Sequence, residues 1–330
     1  MKTKINHSNE ITYDSIIISR FNLKDFIRDY LAFILLATLF LAASCLSNVF
    51  LSVNNIFNIL RATSILGIVA LGQTILLLTG NFDLSVSSVV SFTGILIIGL
   101  MSLGCGTLIA IISGIIGGSL IGLLNGFIVV KTKTSAFLVT LGTQTLAYAI
   151  AQIITNAQTW YGTDPKLNII GQGMLWGWLP IPVIIFIGIA VILEIVLKYT
   201  VFGRCLFAIG NNEEAVKMSG IKTTYIKMAA FISCSFLASF AGFLMCSRLN
   251  STRASGSFGM EFDAIIAAVL GGTSLFGGRG GALKTVAGVV TLGVLNNILV
   301  LMNMPYEAKK IITGLVFLGV VGIDTILKRR

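Results

Sequence analysis

Covalent chemistry needs nucleophiles, acids, bases or metal ligands brought together, and this 330-residue chain offers few of them. Its single histidine, His7, lies in a polar N-terminal segment. No His-based metal site and no Ser/His/Asp or Cys/His system can therefore be built from it. The five cysteines, Cys45, Cys105, Cys205, Cys234 and Cys246, are scattered through or beside apolar stretches without CxxC spacing. That pattern suits small buried side chains, not a redox pair or a disulfide framework. The glycine-rich run from Gly277 to Thr285 approaches the phosphate-binding pattern G-x-x-x-x-G-K-[ST], with Gly278, Lys284 and Thr285 in place. Leu283 occupies the second glycine position, and the run joins two apolar stretches instead of following a strand, so the backbone cradle for phosphate is missing. The sequence thus predicts no catalytic residue, no metal and no cofactor, and reads Gly277–Thr285 as a tight turn.

What remains are polar side chains set within apolar runs, where they are costly in lipid and should face a bundle interior or a water-filled path. Gln73, Asn125, Thr140, Thr143, Gln144 and Asn296 could line a path for a neutral hydroxylated solute, or could hydrogen-bond between helices. Asp83 and Asp263 stand at the start of apolar runs, where a carboxylate can cap the first turn and meet the positive end of the helix dipole. Glu194 and Asp324 each precede a lysine by four residues, Lys198 and Lys328, and read as i,i+4 pairs near helix ends.

The elements that must carry these residues follow from composition. Of the residues, 55% are hydrophobic and 11% are charged, against about 25% charged in soluble domains. So few charges cannot clothe a water-facing surface of this size, and most of that surface must face lipid. Ten apolar runs are long enough, or nearly so, to cross about 30 Å of hydrocarbon as helices. They lie at about 30–47, 62–79, 84–103, 107–130, 136–154, 179–197, 226–247, 263–276, 285–302 and 310–327, the eighth being short. The runs are continuous rather than alternating, which excludes a β-barrel. The expected fold is an all-α, polytopic helical bundle, with residues 1–29 as a polar tail and 30–330 as one transmembrane domain.

Charge orients the bundle. With the N-terminus inside, seventeen of the 23 Lys and Arg fall in inner segments and six in outer ones. This places both termini in the cytoplasm and accounts for the net charge of +10 without nucleic acid, for which no basic stripe with interleaved aromatics exists. Trp160, Trp176 and Trp178 with Tyr161 then lie in an outer loop, at headgroup level. Gly114, Gly118, Gly122 and Gly126 form a flat helix face for close packing. Phe82-Asp83 is echoed by Phe262-Asp263, and Gly122 with Asn125 by Gly293 with Asn296. A displacement of five spans fits an inverted repeat of the kind found in transporters. The longest central inner segment, 198–227, holds Gly210-Asn211-Asn212-Glu213-Glu214-Ala215 and a closing Gly220, the marks of one short capped surface helix.

At this segment the sequence resembles a known family. Phe202-Gly203-Arg204, Ala208-Ile209-Gly210-Asn211-Asn212-Glu213-Glu214-Ala215 and Ser219-Gly220-Ile221 are similar to the cytoplasmic signature of permease subunits of ribose-type ABC sugar importers. Asn81-Phe82-Asp83-Leu84-Ser85-Val86, Asn125-Gly126, Phe137 to Thr143, Glu261-Phe262-Asp263-Ala264-Ile265, Gly271 to Ser274 and Gly277 to Gly280 follow in the family's order, over roughly residues 50 to 325. Ser87, Asn297 and Thr134-Ser135 depart from the family's usual residues. The resemblance implies a non-catalytic subunit of a bacterial inner-membrane importer of a small sugar or polyol, working by alternating access. Its partners would be a second permease copy or a sister permease, a cytoplasmic ATPase and an extracytoplasmic binding protein. Asn211, Asn212, Glu213, Glu214 and Ala215 would then contact the ATPase. The contrasting expectation is a stand-alone secondary transporter or channel.

Overall fold

The computed structural model describes residues 23–328, so His7 and most of the expected tail lie outside the described residues. Twelve helices run in chain order: α1 (Leu23–Leu46), α2 (Val53–Leu77), α3 (Val86–Ser102), α4 (Thr107–Thr132), α5 (Ala136–Thr155), α6 (Asn168–Gln172), α7 (Ile181–Tyr199), α8 (Val201–Met218), α9 (Thr223–Leu249), α10 (Met260–Leu270), α11 (Ala282–Leu301) and α12 (Tyr306–Lys328). Ten of them answer to the ten apolar runs, α8 contains the expected short surface helix, and α6 is the addition. α1 opens at Leu23, inside the segment expected to be tail.

Among the described residues, six helices, α2, α4, α5, α7, α9 and α11, are long and apolar enough to cross a membrane. α10 is not: its 11 residues rise about 16 Å, half of a hydrocarbon core. α3, with 17 residues, starts late because Asn81–Asp83 are non-helical and carry the chain back into the protein before the helix begins.

Burial sorts the helices. α2 and α9 are mostly enclosed, whereas only a minority of the residues of α4, α5 and α7 are buried, as suits helices on the outside of the bundle. The glycine face of α4 turns inward onto α9 and α3. A Cβ on Gly118 would lie 2.2 Å from Ser239 Oγ, and one on Gly122 would lie 2.5 Å from Ser235 Cβ and 2.7 Å from the Phe231 carbonyl. The stripe therefore brings backbones together within one chain.

The only strands among the described residues are four two-residue pieces. β1 (Trp160–Tyr161) pairs antiparallel with β4 (Ser251–Thr252), Trp160 opposite Thr252, and β2 (Met174–Leu175) pairs with β3 (Leu179–Pro180). They fold the 156–180 loop over the bundle end remote from α8, leaving Trp176 and Trp178 exposed.

Candidate functional site

Two groups of the predicted residues are brought together, at different depths. The first surrounds the non-helical segment before α3. Asp83 is fully buried, and its Oδ1 accepts from the Ser85 amide (2.7 Å) and the Ser85 hydroxyl (2.6 Å), capping the turn into α3. Its Oδ2 accepts from Asn125 Nδ2 at 3.3 Å. Gln73 grips the same residue by its main chain, accepting from the Asp83 amide (3.2 Å) while its own amide donates to the Asp83 carbonyl. Thr140 Oγ1 accepts from the Leu84 amide (3.1 Å). The side chains of Asp83, Gln73 and Thr140 supply backbone partners that a helical neighbour would otherwise have given, which is how non-helical backbone survives at membrane depth, while Asn125 holds the Asp83 carboxylate.

One step further along α3, Gln144 Nε2 donates to Ser87 Oγ (3.2 Å) and to Glu261 Oε1 (3.0 Å). Glu261 is 1% exposed, and its other oxygen accepts from the Gly259 amide (2.9 Å), capping α10. Asp263 shares the first turn of α10 with Glu261, and the hydrogen bond to the helix-start amide is made by Glu261. Asp263 itself faces Lys310 of α12 at 3.4 Å. In the sequence Glu261 figures only as part of the family-like run Glu261-Phe262-Asp263-Ala264-Ile265, with no role of its own. Its signal is position: one of two carboxylates in the first turn of a helix that is otherwise apolar.

Of the six residues read as candidates for a solute path, Gln73, Asn125, Thr140 and Gln144 are buried and hydrogen-bonded between elements. Thr143, also buried, donates to carbonyls of its own helix. Asn296 is half-buried on α11 and belongs to another neighbourhood, where the adjacent Asn297 exchanges two amide hydrogen bonds with Asn55 of α2 (2.8 and 3.0 Å).

The second group is α8. Its helix is broken at Asn212, whose φ of −160° and ψ of 97° are extended. Asn212 Oδ1 accepts from the Ala215 amide (3.0 Å), so Asn212 is the N-cap of a new short helix that begins with Glu213 and Glu214. The limb before the break is clamped. A Cβ on Gly210 would lie 2.0 Å from the Leu78 carbonyl and 2.3 Å from the Gly278 amide, and Gly278 N donates to Leu78 O at 3.0 Å. Gly277 and Gly278 both have positive φ. The run that imitates a phosphate loop is therefore a seat for α8, its glycines needed for contact between backbones and for left-handed turns.

The two glutamates diverge. Glu213 turns inward, to Lys227 of α9 at 2.6 Å and to the Thr223 hydroxyl at 3.1 Å. Burial alone would raise its pKa, but Lys227 and Lys217 together hold the carboxyl below the usual range. Glu214 points to solvent and pairs with Lys217 at 2.8 Å, an interaction that raises the Lys217 pKa. Met218, at the helix end, is 90% exposed. At the same end of the bundle the expected Glu194–Lys198 pair is present at 2.9 Å, and Glu194 also accepts from the Leu283 amide at the start of α11. The Asp324 side chain lies outside the described residues.

With this geometry, the chain can be set beside known proteins. Residues 55–321 match the family model for the branched-chain amino acid transport system permease component. The chain is 38% identical to the ribose import permease protein RbsC of Bacillus subtilis over 88% of its own length and 91% of that protein's. It is 36% identical to the ribose import permease protein RbsC of Haemophilus influenzae over 94% and 97%, and 32% identical to the L-arabinose transport system permease protein AraH of Escherichia coli over 88% of each. No solved structure matches it. A multi-pass helical protein covered from α2 to α12 by one model and aligned with such relatives over nearly their whole length belongs to this family of transport-system permease components.

Proposed function

We propose that the chain is the membrane-spanning subunit of an ATP-driven importer that carries a small sugar or polyol into the bacterial cytoplasm. The relatives named for ribose and arabinose import support the cargo class. The single structural observation that carries the reading is the short helix after Asn212, capped, exposed at Glu214 and Met218, and rooted in the bundle through Gly210 and Glu213. A transporter with its own energy source has no need of a protrusion held this firmly.

In this reading α8 lies on the cytoplasmic side of the inner membrane, both termini are cytoplasmic, and an ATPase subunit holds the helix. A second permease, identical or a sister, completes the path, and a binding protein delivers cargo at the Trp-rich end. ATP binding and hydrolysis shift the populations of two helix arrangements, and no covalent bond is made in this chain. Of the five residues read as the contact, Glu214 and Ala215 with Met218 meet the ATPase, while Asn211, Asn212 and Glu213 hold the helix in place.

The test is uptake by proteoliposomes carrying the whole importer. ATP-dependent uptake should be lost when Glu213 and Glu214 are both replaced by alanine. Unchanged uptake overturns the coupling role, and uptake by the purified chain on a proton or sodium gradient alone overturns the class.

A further inference from the structure

Two cavities of nearly equal size differ in chemistry. One, of about 560 Å³ between α1, α2 and α11, is walled by hydrocarbon side chains such as Phe33, Phe40 and Leu60. The other, of about 570 Å³, opens at the bundle end remote from α8, between α3, α9, the 251–260 segment and the first turn of α10. Its volume falls among small-molecule clefts, about 300–1,000 Å³. Its wall includes the hydroxyls of Ser255 and Ser257, the ring of Phe258, and the Asp263–Lys310 pair.

These groups match a sugar. Phe258 is 68% exposed although it is a large apolar ring, so a flat face is left for the C–H side of a pyranose or furanose. Asp263 and Lys310 are 3.4 Å apart, wider than the 2.7–2.9 Å of a close charge-assisted bond. A ligand hydroxyl can donate to that carboxylate and accept from that ammonium at once. The floor is tied to α3, α5 and α10: Ser257 Oγ donates to the Ser87 carbonyl (2.6 Å), and Ser87 is joined through Gln144 to Glu261 of α10.

We propose that this cavity is an entry site for a neutral monosaccharide, held by Phe258, Ser255 and the Asp263–Lys310 pair before it crosses. The proposal rests on the reading of the chain as a sugar importer's permease. It adds a binding site within one permease chain, distinct from whatever the binding protein supplies.

The experiment has two stages. Uptake of a panel of pentoses and hexoses by the complete importer identifies the transported sugar; uptake of none withdraws the importer reading itself. The permease carrying Ser255→Cys, with Cys45→Ser and Cys105→Ser, is then placed in lipid nanodiscs without binding protein and labelled with a charged maleimide. The transported sugar, at ten times its half-protecting concentration, should slow labelling about tenfold, and a panel sugar that is not transported should not. Unprotected labelling by a sugar that the importer carries overturns the site while leaving the importer reading intact. As a second readout, Phe258→Ala should raise the half-saturating sugar concentration for uptake about tenfold, with Phe258→Trp restoring it. A Phe258→Ala variant that loses maximal rate at unchanged half-saturation would mark Phe258 as structural and also overturn the proposal.

Discussion

At the scale of single residues, Asp83 and Glu213 show how a carboxylate is put to two uses. Asp83 has no cationic partner among its hydrogen bonds: two come from Ser85 and one from Asn125, all within the bundle. A typical hydrogen bond contributes about 0.5–1.5 kcal/mol net, and removing one partner leaves the other buried and unsatisfied at about 1–3 kcal/mol. Asp83→Ala should therefore destabilise the folded protein by about 3 kcal/mol, read as a lower midpoint in detergent unfolding. Asn125→Ala, which removes the most distant of the three bonds, should cost less. Glu213 is half-exposed and works through its partners. Its pKa lies below the usual carboxylate value of about 4.3, so the Glu213–Lys227 tie is fully formed above that value and is lost as pH falls through the depressed one. ATP-driven coupling should accordingly show no Glu213-dependent change between pH 5 and 8, checked by comparing wild-type and Glu213→Gln uptake at both ends.

Elements are positioned by close approach more than by charge. Gly210 lets α8 cross the Leu78 turn and the Gly277-Gly278 turn at backbone distance. Gly210→Val should displace the short helix, leaving the protein in the membrane while ATPase co-purification and uptake fall by at least about tenfold. The same substitution at Gly122, facing Ser235 and the Phe231 carbonyl, should act on stability, costing about 1–3 kcal/mol through overpacking of the α4–α9 seam. Among the elements, α8 was only partly legible. The Asn cap, the paired glutamates and the closing Gly220 mark a helix of about eight residues. The structure extends it back to Val201, because Thr200 Oγ1 caps a first limb by accepting from the Gly203 amide at 3.2 Å. α10 is shorter than its apolar run, which reaches 276: the Gly271-Gly272 pair stops the helix, Gly272 taking positive φ while Gly271 packs onto Lys284 and Thr285 of α11.

For the molecule as a whole, sidedness is the property that the distribution of Lys and Arg predicts most directly. Met218→Cys in α8 should react with a membrane-impermeant thiol reagent only in inside-out vesicles, and Trp176→Cys only in intact spheroplasts. The reverse pattern would invert the topology. The outward placement of apolar surface on α4, α5 and α7 was implicit in the composition, since a chain with 11% charged residues must meet lipid over most of its surface.

From the sequence alone came the solvent, the helical class, the ten apolar runs, the polar residues embedded in them and the expected orientation, because each follows from composition or local spacing. Tertiary structure decided which polar residues meet. Gln73 and Asn125 lie 52 positions apart, on α2 and α4, yet both close on Asp83, and Gln144 reaches Glu261 across 117 positions. Of the six polar residues that could line a path, four, Gln73, Asn125, Thr140 and Gln144, brace non-helical backbone or link helices. The reason is that a buried polar group takes its partner from packing, and packing is set by surfaces that sequence spacing does not bring together.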